Sequence, residues 1–260
     1  MVQYPRVVGE LGRAVRYRVL DGVAVRATDG TWHDAPTPKQ CRLLASLLLR
    51  GNEWVAVGRL VEMVWAGQPP RSAAGNLKTY VWRLRSLLAD AGYDSDRLES
   101  RPGGYRLLVE PGELDLHLVH ELADRGRQAL AAGDPAKAGR LLTAALSLWP
   151  AEPVDGSPAA MSEADLVHLH EVRRGLQAVL VEAELAAGRP DSTIALLRRL
   201  VTDQPLVEQW WAMLIRALAL AGRRAEAIVA YQRVCLLLDR ELGLTPGVLL
   251  RDAYGLVLAG

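Results

Sequence analysis

Residues 72–89, SAAGNLKTYVWRLRSLLA, gather side chains that can recognise a polyanion. Wound at about 100° per residue, the segment brings Leu77, Val81, Leu84 and Leu88 within about 60° of one another, with Tyr80 and Leu87 at the edges of that stripe. The opposite side carries Lys78, Thr79, Trp82, Arg83 and Ser86, and Arg71 stands near the start. Arg and Lys reach guanine edges or phosphates, and Thr reaches thymine methyls or phosphates. An apolar back with a basic, hydroxyl-bearing front therefore suits insertion into a major groove. It also describes a solvated polar face, which most helices have. A second cluster weighs toward DNA. Residues 98–110, LESRPGGYRLLVE, read as a hairpin turning at Pro102-Gly103-Gly104. Its alternation points Tyr105 inward, toward the third helix, and Arg101 and Arg106 outward. Such a wing approaches the minor groove or the backbone. Arg71, Arg85, Arg101 and Arg106 are thus candidates for phosphate or wing contacts.

Other chemistry finds little support. His117 and His120 lie three apart, followed by Glu121 and Asp124, but two His without a third fixed ligand read as a solvated face. His168 and His170 cannot share a helix face. No GxSxG, HExxH or GxxxxGK[ST] occurs, so neither a nucleophile elbow nor a phosphate loop is expected. Cys41 and Cys235 make no metal or redox spacing and read as reduced thiols of a cytoplasmic protein.

The elements that would hold the basic face follow from periodicity. Tyr17, Val19, Val23 and Val25, broken by Asp21-Gly22 and Asp29-Gly30, predict short antiparallel strands over 17–34. Residues 36–51 read as a helix with Leu43, Leu44, Leu47 and Leu48 on one stripe and Gly51 as the stop. Residues 57–67 read as a second helix, with Leu60, Val61, Val64 and Trp65 inward and Gln68-Pro69-Pro70 ending it. The third helix and the hairpin complete this half.

The chain has 260 residues, half of them hydrophobic and 23% charged, which is the make-up of a globular protein with a real core. No apolar run approaches the ~18–20 residues of a membrane span, and no signal peptide is visible. The net charge of +1 hides an asymmetry. Residues 1–112 hold 16 basic and 11 acidic side chains, and residues 113–260 hold 15 and 19. Only the first half has the balance of a polyanion binder. The scarcity of Lys beside abundant Arg, Ala and Gly fits a GC-rich genome.

Past residue 115 no strand is predicted. The stretches LAAGDPAKAGRLLTAALSLWP, LAAGRPDSTIALLRRLVTDQP and LALAGRRAEAIVAYQRVCLLLD align on Gly133, Gly188 and Gly222. The last two glycines are 34 residues apart, the tetratricopeptide period; the first two are 55 apart, which is that period plus an insertion containing the Pro/Gly-rich stretch 150–158. Trp149, Trp210, Trp211 and Tyr231 read as core anchors of these repeats. The Arg pairs at 173–174, 198–199 and 223–224 read as helix surface balanced by nearby Glu and Asp. Repeats of this kind commonly bind a partner in a concave groove.

Tyr17-Arg18-Val19-Leu20, PKQ at 38–40, VWAGQPP at 64–70, NLKTYVWRLRSLL at 76–88 and RPGGYRL at 101–107 resemble an OmpR-type winged helix-turn-helix. LAAGDPAKA, LHEVRRGLQAVLVEAELAAGR, PLVEQWWAMLIRALALAGRRAEAIVAYQRV and RELGLTPG add further matches in order. Over roughly residues 17–258 the chain resembles the Streptomyces antibiotic regulatory protein family. The resemblance implies an α+β winged helix-turn-helix over 17–112, then an all-α tetratricopeptide-like bacterial transcriptional activation domain over 113–260, with 1–16 as an N-terminal extension. It implies a cytoplasmic, nucleoid-associated activator of a secondary-metabolite (antibiotic) gene cluster. Its partners would be double-stranded DNA with direct repeats, RNA polymerase including its sigma factor, and a second copy of the chain on DNA. No enzyme activity, cofactor, metal or membrane is implied, and a small member without an appended nucleotide-binding module is expected. Lys78, Thr79, Trp82 and Arg83 would face the major groove, and the loop 66–71 would meet the polymerase.

The chain departs from the family pattern in three places. Gly75-Asn76-Leu77 replaces Asn-Thr-Leu at the start of the recognition helix. Trp82 replaces a small polar residue. Ala56-Val57-Gly58 replaces Ser-Val-Asp at the second helix, and Ala at an N-cap forfeits ~1 kcal/mol. Trp82 could stack on the sugar-phosphate, pack on a neighbouring protomer or alter base preference. The alternative function is a protein-binding scaffold built on the repeats, with the basic half incidental.

Overall fold

The structure, a computed structural model, describes residues 14–150 and 161–259. The extension expected over 1–16 lies outside them except for its last three residues, and so does nearly all of the stretch 150–158. Two compact units are present: the chain up to Gln128 with Arg140–Gln177, and Ala129–Gly139 with the chain from Ala178 on.

In the first unit, β1 (Tyr17–Arg18), β2 (Ala24–Arg26) and β3 (Trp32–Asp34) form an antiparallel sheet in that order. Tyr17 sits across from Val25, and Val25 from His33. Three elements follow: α1 (Pro38–Leu48), β4 (Val55–Ala56) and α2 (Val57–Trp65). Then come α3 (Ala73–Asp90), β5 (Leu98–Arg101) and β6 (Gly104–Leu107). The second sheet has the order β4-β6-β5, antiparallel throughout. The sequence reading missed β4, which has only two residues. The wing turn is also tighter than expected. Gly104 already belongs to β6, and Gly103, at φ +83°, carries the left-handed residue of the turn.

Local chemistry explains the helix starts. Thr37 caps α1, its hydroxyl accepting from the Gln40 N–H at 3.4 Å, with Pro38 at the first helical position. α2 starts from Ala56 with no side-chain cap, as the sequence indicated. The wing compensates in part: the Val57 N–H donates to the Gly103 carbonyl at 2.9 Å, satisfying one of the helix's orphan donors. Leu43, Leu44, Leu47 and Leu48 of α1, Leu60 and Val64 of α2, and Leu77, Val81, Leu84 and Leu88 of α3 are all buried with Leu98 and Leu107 of the hairpin. Burying each such side chain contributes roughly 1.5–3 kcal/mol.

Polar ties beyond residue 112 complete this unit. Glu113 is buried and takes a two-point pair from Arg97, at 2.7 and 3.0 Å, and Arg16 at 2.8 Å. Burial pushes its carboxyl up, but the Arg97 and Glu110 N–H donors outweigh that and hold it below the usual range. Asp115, in the first turn of α4 (Asp115–Ala131), accepts from the Val19 N–H at 3.0 and 3.1 Å and from the Leu20 N–H at 3.1 Å. Its complete burial raises the carboxyl to about 7. Near the start of α6 (Glu163–Ala186), Asp165 is buried, pairs with Arg50 at 2.8 Å and accepts from Ser46 at 3.3 Å.

Every element from residue 115 on is a helix among the described residues. α5 (Pro135–Leu146), α7 (Pro190–Asp203), α8 (Glu208–Leu220), α9 (Arg224–Leu242) and α10 (Val248–Ala259) complete the series. Gly133, Gly188 and Gly222, the residues that align the repeats, all have positive φ, at +80°, +71° and +73°. Each follows a helix end and precedes the next helix by a residue or two, so the repeat is helix, left-handed stop, helix. In the second unit Trp210, Trp211, Leu214 and Ile215 of α8 pack among Ile194 and Leu197 of α7, Val234 and Leu238 of α9, and Leu250 and Val257 of α10.

The Trp210 and Trp211 indoles find partners at the Gln204 amide oxygen and the Pro205 carbonyl. Two expected core anchors lie further out. Trp149 is half-buried, and Tyr231 is half-buried with its ring stacked on Tyr254 at 4.0 Å. A phenol at a helix surface keeps its hydroxyl wet while its ring covers a neighbour. Arg173, expected on a charged surface, is half-buried without a carboxylate partner among the described residues, and burial lowers its pKa. Its long apolar stem can be covered where a shorter polar side chain could not.

Candidate nucleic-acid interface

α3 carries the basic face. Its core stripe, Leu77, Val81, Leu84 and Leu88, fixes the helix's rotation, and Leu87 is buried beside it. Tyr80 stacks on Trp65 of α2 at 5.8 Å, which pins the middle of the helix. With that rotation set, Lys78, Thr79, Trp82 and Arg83 are exposed, and Trp82 shows 66% of its surface. Arg71 is exposed just ahead of the helix. Among the described residues neither Lys78 nor Arg83 has an acidic partner, which leaves both charges open to a ligand. The Ser86 hydroxyl donates to the Trp82 carbonyl at 3.3 Å and is spent on the helix itself.

Arg85 sits two residues from Arg83 and does something else. Its guanidinium donates twice to the Leu98 carbonyl, at 2.9 and 2.7 Å, and once to the Ser100 hydroxyl at 3.3 Å. It clamps β5 to α3, and so positions the wing.

The second sheet has two faces. Tyr105 and Leu107 of β6 are buried with Val55 and Leu98. The other face carries Glu99, Arg101 and Arg106, with Trp54 beside them at the entry to β4. Arg106 pairs with Glu99 through its Nε at 2.6 Å, and its guanidinium lies over the Trp54 ring at 4.6 Å. Arg101 lies over the same ring at 4.4 Å and has no acidic partner among the described residues. Of the two wing arginines, Arg106 is thus neutralised within the protein and Arg101 is not.

Trp54, Glu99 and β4 were not found from sequence. β4 has only two residues and no period to read; it follows Asn52, a non-glycine residue at φ +68°. The Asn52 side chain exchanges two hydrogen bonds with the Val109 backbone, at 2.8 and 3.1 Å, and so joins the chain to the end of the wing. The His pair at 117 and 120 takes another course than coordination. Burial holds both imidazoles below their ordinary pKa. Among the described residues no group of three or more His, Cys, Asp or Glu is placed to hold a metal, and no described helix is long and apolar enough to cross a membrane.

A three-helix unit with a groove-sized helix, an arginine-bearing wing and a following array of helical hairpins defines a winged helix-turn-helix protein with an appended helical domain. The model of the "Transcriptional regulatory protein, C terminal" family matches residues 35–107, and that of the "Bacterial transcriptional activator domain" matches residues 114–258. The chain belongs to the Streptomyces antibiotic regulatory protein family. It is 30% identical to the regulatory protein DnrI of Streptomyces peucetius over 86% of this chain and 85% of that one. It is 35% identical to the transcriptional regulatory protein MoaR1 of Mycobacterium tuberculosis over 94% and 79%. With the regulatory protein AfsR of Streptomyces griseus it shares 34% identity over 90% of its own length, but it spans only 23% of AfsR. The solved structure of Mycobacterium tuberculosis EmbR, in complex with a low-affinity phosphopeptide, superposes with a TM-score of 0.83 at 33% identity. The match covers 95% of this chain and 65% of that one.

Proposed function

We propose that the chain is a sequence-specific DNA-binding transcriptional activator. The observation that carries the proposal is the α3 face: Lys78, Thr79, Trp82 and Arg83 lie exposed together, and no described residue neutralises either cation. Lys78 and Arg83 face the major groove with Thr79 and Trp82, and Arg71 and Arg101 contact backbone or minor groove. Arg85 and Arg106 hold the wing that presents Arg101. In this reading residues 17–112 are the DNA-binding domain, 113–260 the activation domain and 1–16 an extension. The chain acts in the cytoplasm on the nucleoid, binds direct repeats upstream of promoters as a homodimer, and recruits RNA polymerase with its sigma factor through the exposed loop 66–71. Its targets are genes of a secondary-metabolite cluster. The kinship with DnrI and AfsR supports a regulatory role, and the family relationship supports the cluster assignment.

The test is a gel shift of the full chain on promoter fragments with and without direct repeats, followed by a salt series. Binding that requires the repeats and weakens steeply with salt is expected. No retardation of any fragment at low salt would refute the reading. One observation favours a second function, partner binding by the repeats. A groove of about 450 Å³ between α7, α8 and α9 is lined by Val201, Trp211, Leu214 and Val229 and flanked by Arg198 and Arg233.

A further inference from the structure

We infer that Trp54 is a positioning residue for DNA recognition, holding the Arg101 guanidinium in the pose in which the wing meets the duplex. This inference rests on the DNA-binding reading above and assigns a part in it to a residue outside the α3 face.

Val55 pairs with Tyr105 and Ala56 with Gly104, so one step outward Trp54 comes level with Arg106. Glu99 pairs across from Arg106 on the other side, and Arg101 follows two residues later on the same face. Trp54, Arg106, Glu99 and Arg101 therefore share the sheet face turned away from the core. The indole takes both guanidiniums, at 4.4 Å for Arg101 and 4.6 Å for Arg106. A planar guanidinium over an indole face is the favoured cation–π geometry, and Trp is the best ring for it.

The two contacts differ in consequence. Arg106 has Glu99 to orient it and needs no ring. Among the described residues Arg101 is held by the ring alone. A free arginine side chain carries large rotamer entropy, which a ligand would otherwise have to overcome. The ring removes part of that cost before DNA arrives and leaves the charge unneutralised, since indole is a neutral partner. The Glu99–Arg106 pair keeps the second guanidinium from competing for the same phosphate. The Arg101 backbone is fixed as well. It pairs across from Gly104, where a Cβ would lie 3.0 Å from the Val55 carbonyl oxygen, so β6 runs close against β4 at that step.

The experiment is a double-mutant cycle on the full chain. A random-sequence duplex library enriched on the wild-type chain supplies the probe. Arg101→Ala should weaken binding about 5-fold by losing its phosphate contact, and Trp54→Ala about as much by leaving Arg101 unpositioned. The double variant should bind no worse than Arg101→Ala alone. Each variant should also make the slope of log K against log salt shallower by about 0.9, one phosphate contact, and Trp54→Phe should restore both affinity and slope. Trp54→Leu keeps the apolar bulk without the indole face and serves the same cycle if the alanine variant melts early. Losses that add in the double variant, or a Trp54→Leu chain with wild-type slope, would overturn the inference while leaving DNA binding standing. A wild-type chain that enriches no duplex would remove the DNA reading and the role of Trp54 with it.

Discussion

Arg83 and Arg85 stand two residues apart on α3 and meet different chemistry. Arg83 is exposed with no partner among the described residues, and Arg85 spends three hydrogen bonds on β5. Sequence spacing could place both on a helix but could not reveal that the Leu98 carbonyl would lie within reach of one. The same holds for Arg101 and Arg106, told apart by Glu99. Asp115 shows what burial does to a carboxyl that closes a backbone gap. Burial raises it from 3.8 to about 7, against the pull of the Val19 and Leu20 N–H donors. The folded chain then keeps a proton that the unfolded chain has released. Its contribution to stability is full below about pH 4 and is lost as the pH rises through about 7, a change on the order of 4 kcal/mol. The lowered His117 and His120 act oppositely, gaining stability as the pH rises through their ordinary range. Urea midpoints at pH 5 and pH 8 separate the two. Asp115→Asn should remove the alkaline loss, so that its stability rises from pH 5 to pH 8 relative to wild type. An identical pH dependence in both chains would contradict the assignment.

At the scale of elements, the wing depends on Gly104. A Cβ there would meet the Val55 carbonyl at 3.0 Å in a backbone that cannot give way without breaking the β4–β6 pairing. Gly104→Ala should cost ~1–3 kcal/mol and weaken DNA binding through the displaced wing. Gly75→Ala, with open space at its Cβ on a helix, should leave the fold intact or stabilise it by up to ~1 kcal/mol. Thermal melts of the two variants check this, and equal melting temperatures would refute it. The long periodic elements were legible from sequence. The leucine stripes of α1 and α3 and the glycine stops at Gly133, Gly188 and Gly222 all encode helix ends and faces within a few residues of the chain. β4 was not legible, because a two-residue strand has no period and exists only through its pairing with β6. The exposed set Lys78, Thr79, Trp82 and Arg83 was legible because a buried stripe fixes what faces away. Trp54 was not, because its partners come from residues 101 and 106 across a sheet whose register no local pattern announces.

For the whole molecule, the first compact unit extends past the hairpin into α4, up to Gln128, and takes in Arg140–Gln177 with the later part of α5 and most of α6. A fragment ending at residue 112 loses the Glu113 pairs, the Asp115 carboxylate that satisfies two buried N–H groups, and the Arg50–Asp165 pair. Each orphaned buried donor costs ~1–3 kcal/mol, and a typical domain has only ~5–15 kcal/mol in all. Residues 1–177 should therefore melt cooperatively and bind DNA. Residues 1–112 should be markedly less stable, and neither fragment should activate transcription without α7–α10. Equal melting temperatures for the two fragments would show those ties to be idle. The central claim is that the exposed face of α3 reads base sequence. It is tested most directly by measuring the affinity of the full chain and its Lys78→Ala/Arg83→Ala variant for the enriched duplex and for random duplex at one salt concentration. The wild type should prefer the enriched duplex by ~10³-fold or more. The variant, with an unchanged melting temperature, should lose most of that preference, and ~1–3 kcal/mol of it through Arg83. A folded variant that keeps the full preference would mean that another face of the molecule reads the DNA.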